Sequence, residues 1–260
     1  MSLSLEGRTY VVMGVANKRS IAWGISRSLA HAGARIVFTY GAERSGKNVQ
    51  ELADTLETET FVYQCDITSD EEIEATFRKI KEEVGTIHGL AHCIAFAKTE
   101  DLAGTFVDTS RDGFAMAHDI SAYSLTAVAH TLQKHEMMTE GGSIITLSYL
   151  GGEKVVKNYN VMGVAKAALE ASVRYLANDL GPYNIRVNTI SAGPIRTLSA
   201  KGVSGFNTVL NEIKEKAPLR RTVSQAEVGD TALFLLSDLS RGMTGEILHV
   251  DGGYHIVGMG

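Results

Sequence analysis

Residues 9–32 read TYVVMGVANKRSIAWGISRSLAHA. The first five residues form an apolar, β-branched run typical of a strand, and the last twelve carry apolar side chains at helical spacing. Gly14 lies in the loop between them, and Ser20 is a residue type common at helix starts. A strand, a glycine loop and a helix in this order predict the first unit of a doubly wound α/β fold.

The same alternation continues to the C-terminus. It predicts strands at 35–40, 60–65, 89–96, 142–147, 185–190 and 246–250, and helices at 47–56, 69–84, 111–138, 158–180, 207–216 and 225–236. Strands separated by helices imply right-handed crossovers and a parallel sheet covered on both faces. We therefore predict an α/β, single-domain doubly wound Rossmann fold over residues 1–260, with a seven-stranded parallel sheet.

Composition narrows the class of protein. The formal charge of −5 argues against a nucleic-acid phosphate backbone as the main partner, because such domains usually carry a concentrated positive field. Cys65 and Cys93 lie in separate apolar runs without metal-binding spacing, which favours reduced core thiols. No signal peptide and no apolar run of membrane-spanning length is visible. These features predict a cytoplasmic protein.

A phenol and an ammonium are predicted to line one cleft. Tyr159 and Lys166 are seven residues apart in a helical segment, so two turns place them on one face. Tyr149 follows an apolar strand ten residues before Tyr159. A neutral phenol can donate a hydrogen bond to an oxygen that is becoming an anion, and an ammonium can hold a cofactor hydroxyl. This is the chemistry of a reductase, provided that a nicotinamide site exists.

The evidence for a dinucleotide site is less specific. Gly14 and the helix that Ser20 opens suit a pyrophosphate, although the G-x-G-x-x-G fingerprint is absent and the stretch also fits an ordinary helix start. The second strand is followed by Gly41 rather than an acidic residue, and Arg44 could reach back, so NAD is only modestly favoured. Asp66 could accept a hydrogen bond from the adenine amine, or it could simply form a turn.

Four motifs together resemble one family. They are the loop 14–24, the Tyr159-x6-Lys166 pair, the Ser-Tyr-Leu-Gly run at 148–151 and the Ser-Ala-Gly-Pro-Ile-Arg-Thr run at 191–197. They resemble the NADH-dependent enoyl-acyl carrier protein reductases of bacterial fatty acid synthesis, within the short-chain dehydrogenase/reductase superfamily. The resemblance covers essentially the whole chain. In the wider superfamily the spacing is Tyr-x3-Lys, and that tyrosine position is Met162 here.

The resemblance implies reduction of a trans-2-enoyl thioester by hydride from NADH, with NADPH as a second possibility. It implies acyl carrier protein as partner, a homotetramer and a substrate-binding loop at about 194–216. The implied catalytic residues are Tyr149, Tyr159 and Lys166. The implied cofactor-binding residues are Gly14, Val15, Ala16, Ser20, Ile21, Gly41, Asp66, Ile67, Ile94, Ala95, Lys166, Ile195, Arg196, Thr197, Leu198 and Ser199. The implied substrate-binding residues are Ala97, Tyr149, Tyr159, Met162, Ala200, Val203 and Phe206.

The sequence also predicts a lid and a basic patch near the site, and it leaves two alternative functions open. The Gly- and Ser-containing stretch 199–208 predicts a lid over the site, and a basic patch for an acidic carrier protein is expected among Lys201, Lys214, Lys216, Arg220 and Arg221. One alternative is a short-chain dehydrogenase acting on a ketone or alcohol, which would want a tyrosine at position 162. The other is a dinucleotide-sensing regulator without catalysis.

Overall fold

The computed structural model describes residues 3–197, 200 and 205–258. Its strands are β1 (Thr9–Met13), β2 (Arg35–Tyr40), β3 (Thr60–Gln64), β4 (Ile87–His92), β5 (Met138–Ser148), β6 (Arg186–Ala192) and β7 (Ile247–Val250). They form one seven-stranded sheet in the order β3-β2-β1-β4-β5-β6-β7, and every neighbouring pair is parallel. The predicted fold class is confirmed.

Helices connect successive strands and cover the sheet. Within the described ranges they are α1 (Ile21–His31), α2 (Glu43–Ala53), α3 (Asp70–Val84), α4 (Thr99–Leu102), α5 (Arg111–His118), α6 (Ser124–Lys134), α7 (Asn160–Leu180), α8 (Phe206–Lys216) and α9 (Gln225–Leu236). Apolar side chains of α1, α2 and α9 form the core on one face of the sheet. Those of α3, α6 and α7 form the core on the other face.

The first strand shows why its sequence is apolar throughout. Val11 and Met13 belong to the core beneath α3, α6 and α7, whereas Tyr10 and Val12 belong to the core beneath α1, α2 and α9. All of these side chains are fully buried. A strand buried on both faces cannot show the polar and apolar alternation of a half-exposed strand.

The order of strands reverses at β1. The chain moves outward from β1 to β3, returns to form β4 on the other side of β1, and then moves outward to β7. Met13 at the end of β1 pairs with His92 at the end of β4. Ligands of open α/β sheets bind beyond the carboxyl ends of the strands at such a reversal, so the fold places a binding crevice beyond these two residues.

The predicted helix at 111–138 is wrong in its extent. Helix α5 ends at His118, a π-turn occupies Asp119–Tyr123, and α6 ends at Lys134 before β5 begins. No glycine or proline lies between residues 119 and 134 to mark the change. The π-turn is held by tertiary contacts instead, because Ser121 bonds to Phe96 in the loop after β4, and Ser124, the residue after the π-turn, bonds to His92 at the end of β4.

Close packing of α1 against α9 yields a test of the fold. A Cβ at Gly24 would lie 2.3 Å from the Gln225 carbonyl oxygen, whereas one at Gly181 would meet nothing within 4 Å. We expect Gly24→Ala to lower the free energy of unfolding by about 1–3 kcal/mol, because the two backbones must separate. Gly181→Ala, the matched control, should change it by less than about 1 kcal/mol. Urea unfolding measures both, and equal effects would contradict the packing.

Candidate active site

A cleft of about 590 Å³ lies at the carboxyl edge of the sheet where the strand order reverses. Its walls come from the loops after β1, β4, β5 and β6, from the start of α7 and from α8. Most of the predicted site residues meet here although they come from distant parts of the chain. The predicted residues that line it are Gly14, Ala16, Ser20, Ile21, Ile94, Ala95, Ala97, Tyr149, Tyr159, Met162, Lys166, Ile195, Thr197, Ala200 and Phe206.

The two tyrosines lie side by side in this cleft. Tyr159 is the N-cap of α7, one residue before the helix begins, and Tyr149 follows the last residue of β5. Their ring centroids are 5.0 Å apart and the rings are nearly perpendicular, at 70°. Edge-to-face contact of this kind is a favoured aromatic geometry, so each ring limits the movement of the other.

Small residues hold the Tyr159 ring in place. A Cβ at Gly151 would lie 2.3 Å from Cδ1 of Tyr159, and a Cβ at Gly163 would lie 2.7 Å from the Gly151 carbonyl oxygen. The turn after Tyr149 therefore packs directly on the first turn of α7. This contact requires glycine at both positions, because a side chain on either would separate the turn from the helix.

Both phenols keep their protons at neutral pH. Burial, with smaller contributions from Tyr149 and Glu170, raises the pKa of Tyr159 well above its ordinary value. Burial also raises the pKa of Tyr149 to about 12, and the charges of Tyr254 and Glu212 add to this effect. Neutral phenols can donate hydrogen bonds to an oxygen on which negative charge develops.

Lys166 is a buried amine on the same helix. Its side chain is 5% exposed, and Nζ donates a hydrogen bond to the Leu147 carbonyl oxygen at 2.7 Å. Burial lowers the pKa of Lys166 to about 8, while Cys93 and Glu170 oppose that shift. The amine is therefore mostly charged at pH 7. An ammonium has three donors, so donors remain for a ligand in the cleft.

The loop after β1 is shaped by two contacts. Gly14 has φ of +89°, and a Cβ there would lie 2.2 Å from the Cys93 carbonyl oxygen, so this position requires glycine. The Ser20 hydroxyl accepts hydrogen bonds from the backbone N–H groups of Ala16 and Asn17, both at 3.1 Å. Ser20 thus stabilises the loop rather than capping α1. The positive end of the α1 dipole faces the cleft and suits a phosphate group.

The loop after β4 forms the opposite wall. Ser121 of the π-turn accepts a hydrogen bond from the Phe96 N–H and donates one to the Phe96 carbonyl oxygen, both at 3.0 Å. Ser124 donates to the Ile120 carbonyl, so its oxygen is the acceptor for His92 Nε2 at 2.8 Å. The π-turn therefore fixes the backbone that carries Ile94 to Ala97.

Several predicted site residues lie outside the cleft lining. Val15 is buried in the core. Gly41 and Asp66 follow β2 and β3 farther along the same edge, and Asp66 Oδ1 accepts hydrogen bonds from the N–H and hydroxyl of Thr68. Arg196 donates to Asn207 Oδ1 at 2.8 Å. Ile67 packs against the core. Leu198, Ser199 and Val203 lie outside the described residues, as do positions 201, 202 and 204 of the predicted lid at 199–208.

Sequence reasoning missed other residues of the cleft. Most of them lie next to predicted residues or in short loops. From the sequence alone, their apolar side chains cannot be distinguished from those of core residues. Leu147 ends a predicted strand, and Ser148 and Ala192 lie one and two residues beyond the ends of predicted strands, which is a signal that could have identified them. The remaining ones are Ala22, Cys93, Phe96, Thr99, Leu102, Val156, Gly193, Pro194 and Val209.

No group of three or more His, Cys, Asp or Glu side chains within the described part of the chain could hold a metal ion. Of the helices in that part, none is long and apolar enough to cross a bilayer. The strand order, the glycine loop before α1 and the tyrosine and lysine in one cleft define a nicotinamide-dependent reductase of the short-chain dehydrogenase type.

Comparison with known proteins gives the family. The model described as "Enoyl-(Acyl carrier protein) reductase" matches residues 14–255. The chain therefore belongs to the enoyl-acyl carrier protein reductase family, as its sequence motifs predicted.

Individual relatives agree with this assignment. The enoyl-(acyl-carrier-protein) reductase (NADH) FabI of Bacillus cereus is 70% identical over 255 residues, which cover 98% of this chain and 99% of that protein. The corresponding reductase (NADPH) FabI of a Staphylococcus aureus strain is 61% identical, with 98% and 99% covered. A crystal structure of the Bacillus cereus reductase with NADP⁺ and indole naphthyridinone has a TM-score of 0.96 at 70% identity, with all of both chains covered.

The buried amine yields a direct test of the site. We expect Lys166 of the protein without added nucleotide to lose its proton as the pH rises through about 8, below the ordinary value of 10.5, because burial disfavours the charged form. Carbon NMR of protein labelled at the lysine ε-carbons follows the titration, and the signal missing from Lys166→Arg identifies the residue. A Lys166 signal that titrates only above pH 10 would contradict the burial of this amine.

Proposed function

We propose that this chain reduces the carbon–carbon double bond of a trans-2-enoyl thioester carried by acyl carrier protein, the last reductive step of fatty acid elongation. The observation that carries the proposal is the convergence of Tyr149, Tyr159 and Lys166 in one cleft at the strand-order reversal. The enzyme is an NAD(P)H-dependent oxidoreductase acting on CH–CH groups. NADH is its cofactor, and NADPH can serve in its place.

The residues of the cleft fit a dinucleotide. The loop that ends at Ser20 directs the start of α1 toward the cleft, which suits a pyrophosphate. Lys166 has donors left for the hydroxyls of the nicotinamide ribose, and Thr197 offers a further hydroxyl to the cofactor. Gly41 and Asp66 lie along the same edge of the sheet, toward β3, where an adenosine would extend. Bound NADH would supply a hydride to the β-carbon of the enoyl group, and protonation of the resulting enolate at the α-carbon completes the reduction.

The chain's own groups assist that step by electrostatics. Tyr159 donates a hydrogen bond to the thioester oxygen, and the bond strengthens as negative charge develops there. Lys166 holds the ribose and places a positive charge near the developing enolate. Such preorganised donors are the largest single source of rate enhancement in many enzymes. Tyr149 packs against Tyr159 and borders the acyl group.

Apolar side chains form the proposed acyl pocket. Met162 is 6% exposed and belongs to a small core cluster with Leu102, against which Ala97 packs. Phe206 at the start of α8 and Ala200 border the cleft from the opposite side. Val203, which the resemblance also implies, is outside the described residues. This lining suits a hydrocarbon chain because it offers few hydrogen-bonding partners.

Organisation beyond the site is also part of the proposal. We propose that the chain functions as one reductase domain, that the segment at about 194–216 covers the substrate, and that the enzyme is a homotetramer in the cytoplasm. The family resemblance supports these points, together with α8 bordering the cleft.

A ketone-directed short-chain dehydrogenase is the alternative that the cleft disfavours, since Met162 occupies the position where that chemistry needs a tyrosine. An assay of reduced-nicotinamide absorbance separates the two reactions. We expect oxidation of NADH with a crotonyl thioester and not with a 3-ketoacyl thioester. Oxidation with the ketoacyl substrate alone would support the dehydrogenase, and binding without oxidation would support a regulator.

Removal of one hydroxyl tests the role of Tyr159. We expect Tyr159→Phe to lower kcat by roughly 10²- to 10³-fold, because the developing anion loses a donor. The dissociation constant of NADH should change little. Tyr175→Phe, the same change at an exposed position of α7, is the matched control. Stopped-flow absorbance and fluorescence titration provide the two measurements, and equal kcat values for the two variants would refute the role.

Charge reversal tests docking of the carrier protein. Lys216 and Arg221 form salt bridges with Glu212 and Glu227, whereas Lys214 forms none with the described residues and is exposed. We expect Lys214→Glu to raise KM for carrier-linked substrate about two- to fivefold at low salt while sparing coenzyme A esters, because an acidic partner loses an attractive charge. Lys79→Glu on α3 is the control, and Lys201 lies outside the described residues. Equal effects on both substrates would exclude docking at Lys214.

A further inference from the structure

A second ionisable group lies one turn beyond Lys166 on α7. Glu170 is 5% exposed, and burial raises the pKa of its carboxyl above the ordinary value. Buried carboxyl groups are rare unless they are paired or hydrogen-bonded. The proposed reduction assigns no role to Glu170, so its burial beside the cleft calls for an explanation.

Glu170 and Lys166 bind two consecutive residues at the end of β5. The Ser148 hydroxyl donates a hydrogen bond to Glu170 Oε1, and Lys166 Nζ donates to the Leu147 carbonyl oxygen at 2.7 Å. Tyr149 is the next residue along the chain. Two side chains in adjacent turns of α7 therefore hold the strand end from which Tyr149 projects.

The sheet alone supports this strand end weakly. Strand β5 pairs with β4 only as far as Thr146, opposite His92, whereas its pairing with β6 continues to Ser148. Leu147 and Ser148 consequently have a ladder partner on one side and the cleft on the other. The side-chain bonds from α7 supply the missing support.

The turn after Tyr149 is shaped to admit the carboxyl group. A Cβ at Gly152 would lie 2.7 Å from Glu170 Oε1 and 3.3 Å from the Ala167 nitrogen. A side chain at Gly152 would displace the Glu170 carboxyl from its present position, so glycine here leaves room for that carboxyl beside Ser148. Gly151 packs on the Tyr159 ring in the same turn, so one short segment contacts both Tyr159 and Glu170.

Other charges face Glu170 from the surrounding elements. Glu153 after the turn raises the pKa of Glu170, while His249 of β7 and Arg174 of α7 lower it. His249 Nε2 contacts Glu153 Oε1 at 2.6 Å, so these two side chains pair with each other. The Ser148 hydroxyl is therefore the hydrogen-bond donor to Glu170 that lies next to the cleft.

We infer that Glu170 is a positioning residue for the reduction, which through its hydrogen bond with Ser148 fixes the strand end that carries Tyr149 against Tyr159. The inference rests on the proposed function. The Lys166 amine has a proposed role at the cofactor besides its bond to the Leu147 carbonyl oxygen, whereas the proposed reduction assigns no other role to the Glu170 carboxyl.

Two single variants and a matched control test the inference. We expect Ser148→Ala and Glu170→Ala each to lower kcat with a crotonyl thioester by about 10- to 100-fold, because a small misplacement of an active-site group has effects of this size. KM for NADH should stay within about threefold. Ser143→Ala also removes a buried hydroxyl from β5, one in the middle of the strand that donates to the Leu235 carbonyl oxygen and does not line the cleft, and should leave kcat within about twofold.

Rescue and coupling separate positioning from general loss of structure. Glu170→Gln keeps the size and an acceptor for Ser148, so it should regain most of the activity lost in Glu170→Ala. The double variant Ser148→Ala/Glu170→Ala should be no worse than either single variant, because both remove the same bond. A kcat for Ser148→Ala equal to that of Ser143→Ala, additive losses, or a Glu170→Gln as impaired as Glu170→Ala would overturn the inference.

A structural measurement separates the inference from the proposed function. Crystal structures of the wild type and Ser148→Ala should differ in the distance between the Tyr149 and Tyr159 ring centroids, which is 5.0 Å here. An unchanged distance would overturn the inference whatever the activity. A wild type that oxidises no NADH with an enoyl thioester would overturn the proposed function, while a displaced Tyr149 ring would still support the positioning role. Ser148→Ala removes a single oxygen atom, so this test holds even where Glu170→Ala fails to fold.

Discussion

The reversal of strand order beside β1 is the constraint on which the site depends. Crossovers leave β1 and β4 in opposite directions, so the carboxyl ends of these two central strands border an open crevice. The groups of the site that follow strand ends then need only a short loop to reach this crevice. Gly14, the Phe96 segment and Tyr149 arrive from three strand ends, and Lys166 arrives from α7.

Burial gives these groups their chemical character. The phenols of Tyr149 and Tyr159 retain their protons because the cleft disfavours the phenolate form, and Lys166 is brought to a pKa of about 8 for the corresponding reason. Electrostatic interactions with Cys93 and Glu170 oppose the effect of burial on the pKa of Lys166, so the amine stays mostly charged at neutral pH while it donates to the Leu147 carbonyl oxygen. Hydrogen-bond donation and positive charge therefore coexist in a cavity with mostly apolar walls.

The sequence predicted the parts of the structure that local patterns encode. Strands β1 and β2 and helix α9 have the predicted bounds, because short apolar runs mark the strands and helical periodicity marks the helix. The family motifs also placed most of the cleft lining. What remained hidden depends on tertiary contact. The π-turn at Asp119–Tyr123 is held by two serines that bond to the end of β4 and to the loop after it, and α4 is too short to show a period.

The Gly14 position requires glycine for a reason that the sequence does not show. Glycine there was expected to admit a pyrophosphate, whereas the structure shows that the Cys93 carbonyl already occupies the space of a side chain. The Glu170 carboxyl was invisible for a related reason. A charged residue on a long helix suggests a solvated surface, and only the close approach of Gly152 reveals that this one faces inward.

The pairing of β1 with β4 also governs how the chain reaches this structure. Tyr10 pairs with Gly89, a partner far away along the chain, and the segments that form β2 and β3 on the other side of β1 lie between these two residues in the sequence. Such nonlocal pairings close large loops and slow the folding of parallel sheets. The first three strands are synthesised before the other four. The crevice lacks the walls formed by the loops after β4, β5 and β6 and by α7 until those segments have also been synthesised. Nucleotide can therefore bind only late in biogenesis, and its binding favours the completed fold over every earlier intermediate.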